Sequence, residues 1–396
     1  MKLSTFSLLA TGLALSGTTS FAAEGSELPL QVVNRARVEF DDNVNEEKSD
    51  EDSSVNLIEE LEILFQANGE NTFFGLRYLP SFIWYSDRED DDTDLHHSFD
   101  ASLRHAFNPN TELNLKQVLR FAELPELVED DVTIRQNNDY LYSSSHIGLG
   151  VRVNPRFGID LEGRHEILSY DDSNVADRND YDKTTGGANL NYFLSQLSTL
   201  SAEGRYSKAD YEDEVRSFSS VQGGLGLNNQ LTKTVNLNLR GGAEVREYDD
   251  VDIDDSTDPY VSAGLNLAPN DGTSINLGAG YSLAQSPVSR FVSQGRASVQ
   301  AGISYDVTGR LTANLSGSYA TGDFKEEDGV AAETATTDAR EGTEDVLRLS
   351  ARVTYEVNKS NYLEAGWQYV DLASEIREES EYTRNRASLG WKTVFK

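Results

Sequence analysis

The feature that most constrains this fold is a repeated alternation of apolar and polar residues. Clear examples lie at 30–40, 55–65, 74–84 and 387–395, and similar stretches recur between them. A repeat of two residues places successive side chains on opposite faces of a β-strand. Each stretch therefore predicts a strand with one apolar and one polar face. From residue 30 onward the chain is predicted to be all-β.

The segments between these stretches fall into two classes that alternate along the chain. Short segments rich in Asn, Gly and Pro have the composition of tight turns. They lie at 67–69, 108–110, 154–156, 195–196, 228–230, 270–272, 308–309 and 358–360. Longer, acidic segments lie at 42–53, 86–94, 123–137, 171–180, 207–213, 249–258, 284–290, 322–344 and 372–381. These eight turns and nine loops predict about eighteen strands, with sixteen as the alternative. An even number lets the first and last strands pair antiparallel and close the sheet.

Several features indicate that the closed sheet spans a membrane. The sequence contains no apolar run of the length that a transmembrane helix requires. Outer-membrane barrels combine short periplasmic turns, long extracellular loops and aromatic residues at both membrane interfaces. Here Phe107 and Phe395 lie beside short turns, whereas Phe40 and Trp84 lie beside long loops. We therefore predict a closed antiparallel transmembrane β-barrel with long acidic extracellular loops, located in the cell outer membrane.

The N-terminus has the features of a secretory signal peptide. Lys2 precedes an apolar segment at 3–15, and the small residues Ser20 and Ala22 occupy the −3 and −1 positions of a cleavage site. We predict a signal peptide over 1–22, a short periplasmic segment over 23–29 and a transmembrane barrel over 30–396.

Composition and motifs exclude several classes of function. The chain has no cysteine, which removes disulfides, thiol chemistry and cysteine-based metal sites. Its formal net charge of −33 disfavours nucleic-acid binding. Asp160, Glu162 and Glu166 share a strand face with Arg164, so salt pairing explains these carboxylates better than glycoside hydrolysis. We predict no catalytic residue, no metal site and no cofactor, and hence that the protein is not an enzyme.

Basic residues are concentrated at the predicted inward positions of the strands, although the long loops are acidic. We predict that the following residues line the path of a substrate: Arg35, Arg37, Arg77, Arg120, Arg205, Arg240, Arg296, Arg348, Arg352, Arg384 and Arg386. A passage lined by one sign of charge concentrates ions of the opposite sign, so this pattern predicts an anion-attracting lumen. The alternative is that arginine and glutamate simply pair across neighbouring strands inside the barrel.

A short motif follows the first predicted strand. Phe40 precedes Asp41, Asp42, Asn43 and Val44, which begin the first acidic loop. In this position after a signal peptide, the motif resembles that of an outer-membrane β-barrel porin family associated with exopolysaccharide export clusters. The resemblance implies an eighteen-stranded barrel that passes a polysaccharide across the outer membrane together with a periplasmic polysaccharide-export protein.

The principal functional hypothesis from the sequence is therefore a translocon for an anionic exopolysaccharide. One alternative is a general or substrate-selective diffusion porin, and another is a structural or adhesive barrel with a plugged lumen. The long loop at 322–344 is expected either to fold inward as a constriction or, from its Ala, Thr and Glu content, to be disordered. Further expected partners are outer-membrane lipid, lipopolysaccharide and the barrel assembly machinery.

Overall fold

A computed structural model describes most of the chain from Pro29 to Phe395. The described residues exclude, within that range, 50, 88–91, 123–127, 130–131, 134–137, 251, 289–290, 326–340 and 377–379. The predicted signal peptide at 1–22, nearly all of the predicted periplasmic segment at 23–29 and the centre of the predicted constriction at 322–344 lie outside the described residues.

Twenty β-strands make up nearly all of the regular structure in the described part of the chain. They are β1 Leu30–Asp41, β2 Ser54–Asn68, β3 Thr72–Tyr85, β4 Thr93–Asn108, β5 Thr111–Ala122, β6 Val128–Glu129, β7 Val132–Thr133, β8 Tyr140–Arg152, β9 Phe157–Tyr170, β10 Tyr181–Phe193, β11 Ser198–Tyr211, β12 Phe218–Thr232, β13 Val235–Tyr248, β14 Ser256–Asn270, β15 Thr273–Gln285, β16 Ser293–Thr308, β17 Leu311–Phe324, β18 Gly342–Asn358, β19 Asn361–Ser374 and β20 Tyr382–Phe395. The two-residue strands β6 and β7 pair with each other within the loop between β5 and β8.

The other eighteen strands form one closed antiparallel sheet. Each pairs with its neighbours along the chain, and β1 pairs with both β2 and β20. At the closing pair, Val33 faces Val394 and Arg35 faces Lys392. Closure leaves no strand with an unpaired edge, which a lipid environment requires. The predicted closed barrel of eighteen strands is thus confirmed, and the alternative of sixteen is wrong.

The two faces of the sheet follow the alternation in the sequence. On β2, Leu57 and Leu61 point outward and are 47% and 38% exposed, whereas Ile58 and Glu60 point inward and are 5% and 9% exposed. Large apolar side chains are exposed at outward positions all around the barrel. In water such a surface is unfavourable, but it suits contact with lipid chains.

The short turns owe their geometry to asparagine side chains. Asn108, Asn154, Asn270 and Asn358 each accept a hydrogen bond through Oδ1 from the backbone N–H two residues later. This local bond stabilises a tight turn. The long connections at the other end of the barrel contain a short helix, α1 Ser173–Asn179, and a 3₁₀ turn, Glu214–Arg216. Within the described residues, no helix is both long and apolar enough to cross a membrane.

Candidate functional site

The lumen is the candidate functional site, and its wall is formed by the inward-facing side chains of the eighteen barrel strands. Paired residues of neighbouring antiparallel strands share a face, so the register assigns each side chain to the inner or outer wall. All of the basic residues predicted to line the substrate path occupy inward positions. Their surroundings differ, however, and divide most of them into three groups: residues in ion-paired networks, the buried Arg384, and residues beside a neutral wall.

The first group includes a ladder of ion pairs that runs across neighbouring strands of the inner wall from β19 to β5. Arg35 contacts Glu60 at 3.1 Å and Glu364 at 2.9 Å, so it joins β1 to both β2 and β19. Arg77 contacts Glu62 at 2.5 Å and Asp100 at 3.2 Å. The ladder continues through Arg37, which contacts Glu60, and Arg120, which contacts Asp100. Each of these positive charges is offset by a carboxylate, as the pairing alternative predicted.

A second ion-paired network lies on β9, β11, β13 and β14. Arg205 contacts Glu162 at 2.6 Å, and Arg240 contacts Glu203 at 3.2 Å. The hydroxyl of Tyr260 also donates to Glu203 at 2.6 Å. To reach Glu203 on β11, the Tyr260 side chain passes over β13 and β12. Two glycines leave room for it, because a Cβ atom on Gly224 or Gly242 would lie within 3 Å of the tyrosine side chain.

Arg384 is instead a buried contact point for the first extracellular loop. Its guanidinium donates to both carboxylate oxygens of Asp41 and, at 2.8 Å, to Glu46. Glu46 has a φ of 57°, in the left-handed region that non-glycine residues seldom adopt. Asp41 is fully buried and Arg384 nearly so. This geometry indicates that Arg384 attaches the loop to the barrel.

The rest of the motif at the end of β1 reinforces this attachment. Asp42 accepts hydrogen bonds from the backbone and side chain of Asn385. Asn43 donates to the carbonyl of Thr383 at 3.0 Å, and Val44 packs in a cluster with Ile58, Ile83 and Tyr85. The motif therefore fixes the first loop to β20, beside the pair of strands that closes the barrel.

An exposed ion pair lies above this buried attachment. Lys48 Nζ lies 2.6 Å from a carboxylate oxygen of Glu381, which joins the first and last extracellular loops. The hydrogen bond from Lys48, together with its positive charge, lowers the pKa of the Glu381 carboxyl.

The third group is found where the inner wall is otherwise neutral. From β15 to β17 the central inward positions hold small polar residues and glycine, such as Asn276, Ser298, Gln300, Asn314 and Ser316. Arg348 and Arg352 of β18 border this neutral wall, facing Ser318 and Asn314 of β17. Among the described residues, neither arginine forms an ion pair.

Arg296 and Arg386 also face the lumen, on β16 and β20. The inner wall also holds carboxylates outside the ion-paired networks described above, among them Asp94, Asp258, Glu344 and Glu356. Inward-facing acidic and basic residues of the strands are therefore close to balanced in number. Any net positive charge is local, at Arg348 and Arg352.

The extracellular end of the lumen is lined by buried aromatic residues. Tyr142, Tyr170, Tyr211, Phe218 and Tyr248 form one cluster on the inward faces of β8, β9, β11, β12 and β13. Loop residues Ile253 and Val292 are buried in the same cluster. The loops therefore lean over the mouth of the barrel instead of standing upright from its rim.

Arg216 joins three of these loops. It lies in the 3₁₀ turn between β11 and β12. Its guanidinium donates to the carbonyl of Arg178 at 2.6 Å and to that of Ser286, and it stacks on Tyr211 at 4.5 Å. The side chain is only 2% exposed. Arg216 thus connects the loops that follow β9, β11 and β15.

The loop after β15 contacts the opposite side of the mouth as well. Val288 and Phe291 pack in a cluster with Phe324 at the end of β17 and Ile376 in the loop after β19. The rings of Phe291 and Phe324 have centroids 5.4 Å apart. Among the described residues, the loop after β15 therefore extends over the mouth. The centre of the segment at 322–344, for which a constriction is predicted, lies outside the described residues.

The described residues offer little to hold a metal ion. They contain no group of three or more His, Asp or Glu side chains in a suitable arrangement. The carboxylates Glu162 and Glu166, which we considered for hydrolysis, contact Arg205 and Arg164 at 2.6 and 3.3 Å. These ion pairs account for the presence of both carboxylates on the inner wall.

Comparisons with known proteins gave one family match and several structural similarities. The family model described as "Putative beta-barrel porin 2" matches residues 34–395. The structure of Pseudomonas aeruginosa OccK2 (OpdF) in complex with glucuronate is 13% identical, with a TM-score of 0.48 over 93% of this chain and 98% of that chain. Acinetobacter baumannii OccAB3 is 12% identical, with a TM-score of 0.46 over 92% of this chain and 98% of that chain. A search of curated proteins found no significant match.

The family match extends along the barrel from β1 to β20. It agrees with the closed sheet, the apolar outer wall and the polar inner wall described above. The chain belongs to the β-barrel porin family described as "Putative beta-barrel porin 2" and is a protein of the outer membrane.

Proposed function

We propose that this porin is a diffusion channel for small hydrophilic solutes and that it favours anions. The observation that carries this proposal is the pair Arg348 and Arg352, which face the lumen without an ion-pair partner among the described residues. An uncompensated positive charge beside an aqueous passage raises the local concentration of anions. The paired arginines of the ladder contribute less, because neighbouring carboxylates offset them.

The neutral wall beside Arg348 supports diffusion rather than tight binding. Hydroxyl and amide groups such as those of Ser316, Ser318 and Asn314 exchange hydrogen bonds with a hydrated solute. Conduction requires contacts that are strong enough for entry and weak enough for release. A row of small neutral groups next to two charges without an ion-pair partner among the described residues meets both requirements.

The proposal is tested by ion selectivity in planar lipid bilayers. The reversal potential of the purified, folded protein in a KCl gradient gives the chloride-to-potassium permeability ratio. We expect chloride to be favoured, and the double variant Arg348→Gln with Arg352→Gln to reduce this preference several-fold. The matched control is Arg156→Gln with Arg310→Gln, which removes the same charge from exposed turns at the other end of the barrel.

Two results would contradict the proposal. One is a wild-type channel that favours potassium, and the other is an equal loss of selectivity in the double variant and in its control. A folded protein that conducts no ions would instead support the alternative of a structural barrel with a plugged lumen.

Polysaccharide export is the second candidate function, and it rests on the motif at 41–44. The contacts of Asp41, Asn43 and Val44 explain that motif as the attachment of the first loop to β20. In addition, the loops lean over the mouth through which a polymer would leave. The geometry therefore favours a diffusion channel.

A deletion of the gene separates the two candidates. Exopolysaccharide on the cell surface is compared with exopolysaccharide retained in the periplasm. Loss from the surface, restored by the intact gene, would favour export with a periplasmic polysaccharide-export protein. An unchanged surface polysaccharide would favour the diffusion channel.

A further inference from the structure

The outer wall of the barrel has two halves of different composition. On β13 to β18 the central outward positions are apolar, as at Leu239, Leu265, Leu277, Ala301, Leu315 and Val353. Outward positions on β1 to β8 include Asn34, Glu59, His97, Gln117 and Ser145. Lipid chains solvate the apolar half well, but they cannot form hydrogen bonds with the polar groups of the other half.

Glu59 is the clearest example on the polar half. It lies on β2 between Leu57 and Leu61, which are exposed on the same face. Its partner on β1 is Ala36, which lies midway between Phe40 near the extracellular end and Val32, the partner of Phe395 near the periplasmic end. The carboxylate therefore lies in the middle of the apolar band, where charged side chains are costly and are seldom placed without a function.

The hydrogen bonds made by these outward groups leave further capacity. Glu59 accepts through Oε1 from the Asn34 side chain. On β4, His97 uses Nδ1 in its contact with Tyr78 at 2.9 Å. In the described residues, Glu59 Oε2 and His97 Nε2 have no hydrogen-bond partner. Glu59 Oε2 is a hydrogen-bond acceptor, and His97 Nε2 can donate a hydrogen bond to such an acceptor.

A groove lies on the same half of the outer wall. It has a volume of about 680 Å³ and is lined at outward positions by residues that include Phe74, Ala101, Leu115, Gln117 and Ile147. Within it, Gln117 exchanges hydrogen bonds with Ser143 and Ser145. The groove therefore lies on the polar half of the outer wall.

We infer that this half of the outer wall is a contact surface between copies of this chain. The acceptor Glu59 on β2 and the donor His97 on β4 lie on different strands of one barrel. Consequently, the Glu59 region of one copy complements the His97 region of the next. Such head-to-tail contacts form closed rings when the rotation permits. A second copy supplies both the hydrogen-bonding groups and the apolar side chains that the groove requires.

The test compares two Ala→Trp variants of the full-length folded protein. Ala101→Trp fills the groove, whereas Ala301→Trp adds the same side chain to the apolar half. Particle mass in mild detergent and photobleaching steps in supported bilayers give the number of barrels per particle. We expect several barrels per particle for the wild type and for Ala301→Trp, but single barrels for Ala101→Trp.

A second variant keeps the test decisive if Ala101→Trp does not fold. Glu59→Leu removes the outward carboxylate and suits contact with lipid, so the single barrel is expected to remain folded while assembly is weakened. A heat-dependent change in gel mobility confirms that each variant is folded. The inference is overturned if the wild type contains one barrel per particle, or if the folded variants assemble to the same extent as the wild type. These readouts do not depend on ion conduction, so they do not depend on the proposed function.

Discussion

The inward face of β11 changes character along its length. Halfway through the barrel it carries Glu203 and Arg205, whose ion pairs join β9, β11 and β13. At its extracellular end it carries Ala209 and Tyr211, which are buried under loops. Two strands away, β13 shows the same change, from Arg240 in the middle to Tyr248 at the mouth. One strand face therefore serves two purposes, according to its height in the barrel.

This difference separates selectivity from the closing of the mouth. In the middle of the barrel the inner wall is partly exposed, and its charged groups face the passage. At the mouth the same wall is buried, and aromatic rings, carbonyl groups and Arg216 hold the loops together. We therefore expect changes in the middle to alter which ions pass. Changes at the mouth are expected to alter stability and how often the passage is open.

Asp41→Asn tests the buried attachment at the mouth and is expected to have the largest effect. It removes the charge that faces Arg384, and breaking a buried ion pair from one side costs about 3–5 kcal/mol. Urea-induced unfolding of the protein in lipid vesicles measures this loss. If Asp41→Asn unfolds at the same urea concentration as the wild type, Arg384 does not depend on Asp41, and the role assigned to the motif is wrong.

Arg216→Met tests whether the loops hold the mouth closed. The change removes two hydrogen bonds from a charged group to carbonyl oxygens, each worth about 1.5–3 kcal/mol. The open probability of single channels in bilayers is expected to rise about tenfold or more. Arg178→Met is the matched control, because Arg216 contacts the carbonyl of Arg178 and not its exposed side chain. Equal open probabilities for both variants would mean that Arg216 does not control the opening.

Gly242→Ala tests the middle of the barrel with a change of one methyl group. A Cβ at this position would lie 2.1 Å from the carbonyl oxygen of Gly223 and 2.6 Å from the Tyr260 side chain. Tyr260 is expected to lose its hydrogen bond to Glu203, with a loss of about 1–3 kcal/mol in the free energy of unfolding. Gly204→Ala is the control, because a Cβ there meets no atom within 4 Å. If both variants unfold alike, the two glycines do not provide the space that Tyr260 occupies.

Strand number and the inward or outward face of strand residues were predictable from the sequence because one period governs the whole barrel. Each of the eighteen barrel strands must present apolar groups to lipid, so the alternation marks its faces and approximate limits. Even Glu59 was visible as a polar residue within an apolar row. The residues that lie next to Glu59 on the outer wall, by contrast, come from other strands and are distant from it in the sequence.

Pairing partners and the fold of the loops were less predictable. Arg35 contacts Glu364 across the closing pair of strands, and no local pattern links residues so far apart. The position of Arg216 could not be predicted, because the loop in which it lies has no repeating pattern. One signal was present, since Tyr142, Tyr211 and Tyr248 are aromatic residues at the extracellular ends of otherwise polar inward rows. Such rings need a cover, and only the loops can provide it.

The smallest effect is expected for Glu381→Gln, at the exposed rim of the mouth. The Glu381 carboxyl is paired with Lys48, and its pKa is lower in the folded protein than in the unfolded chain. A lowered folded pKa means that the pair stabilises the protein above the unfolded pKa, and that this stabilisation is lost as the pH falls through the folded pKa. Because the pair is open to solvent and screened by salt, we expect Glu381→Gln to unfold only slightly before the wild type at neutral pH and together with it in acid. A loss as large as that of Asp41→Asn would mean that the exposed rim, and not the buried contact beneath it, attaches the first loop to the barrel.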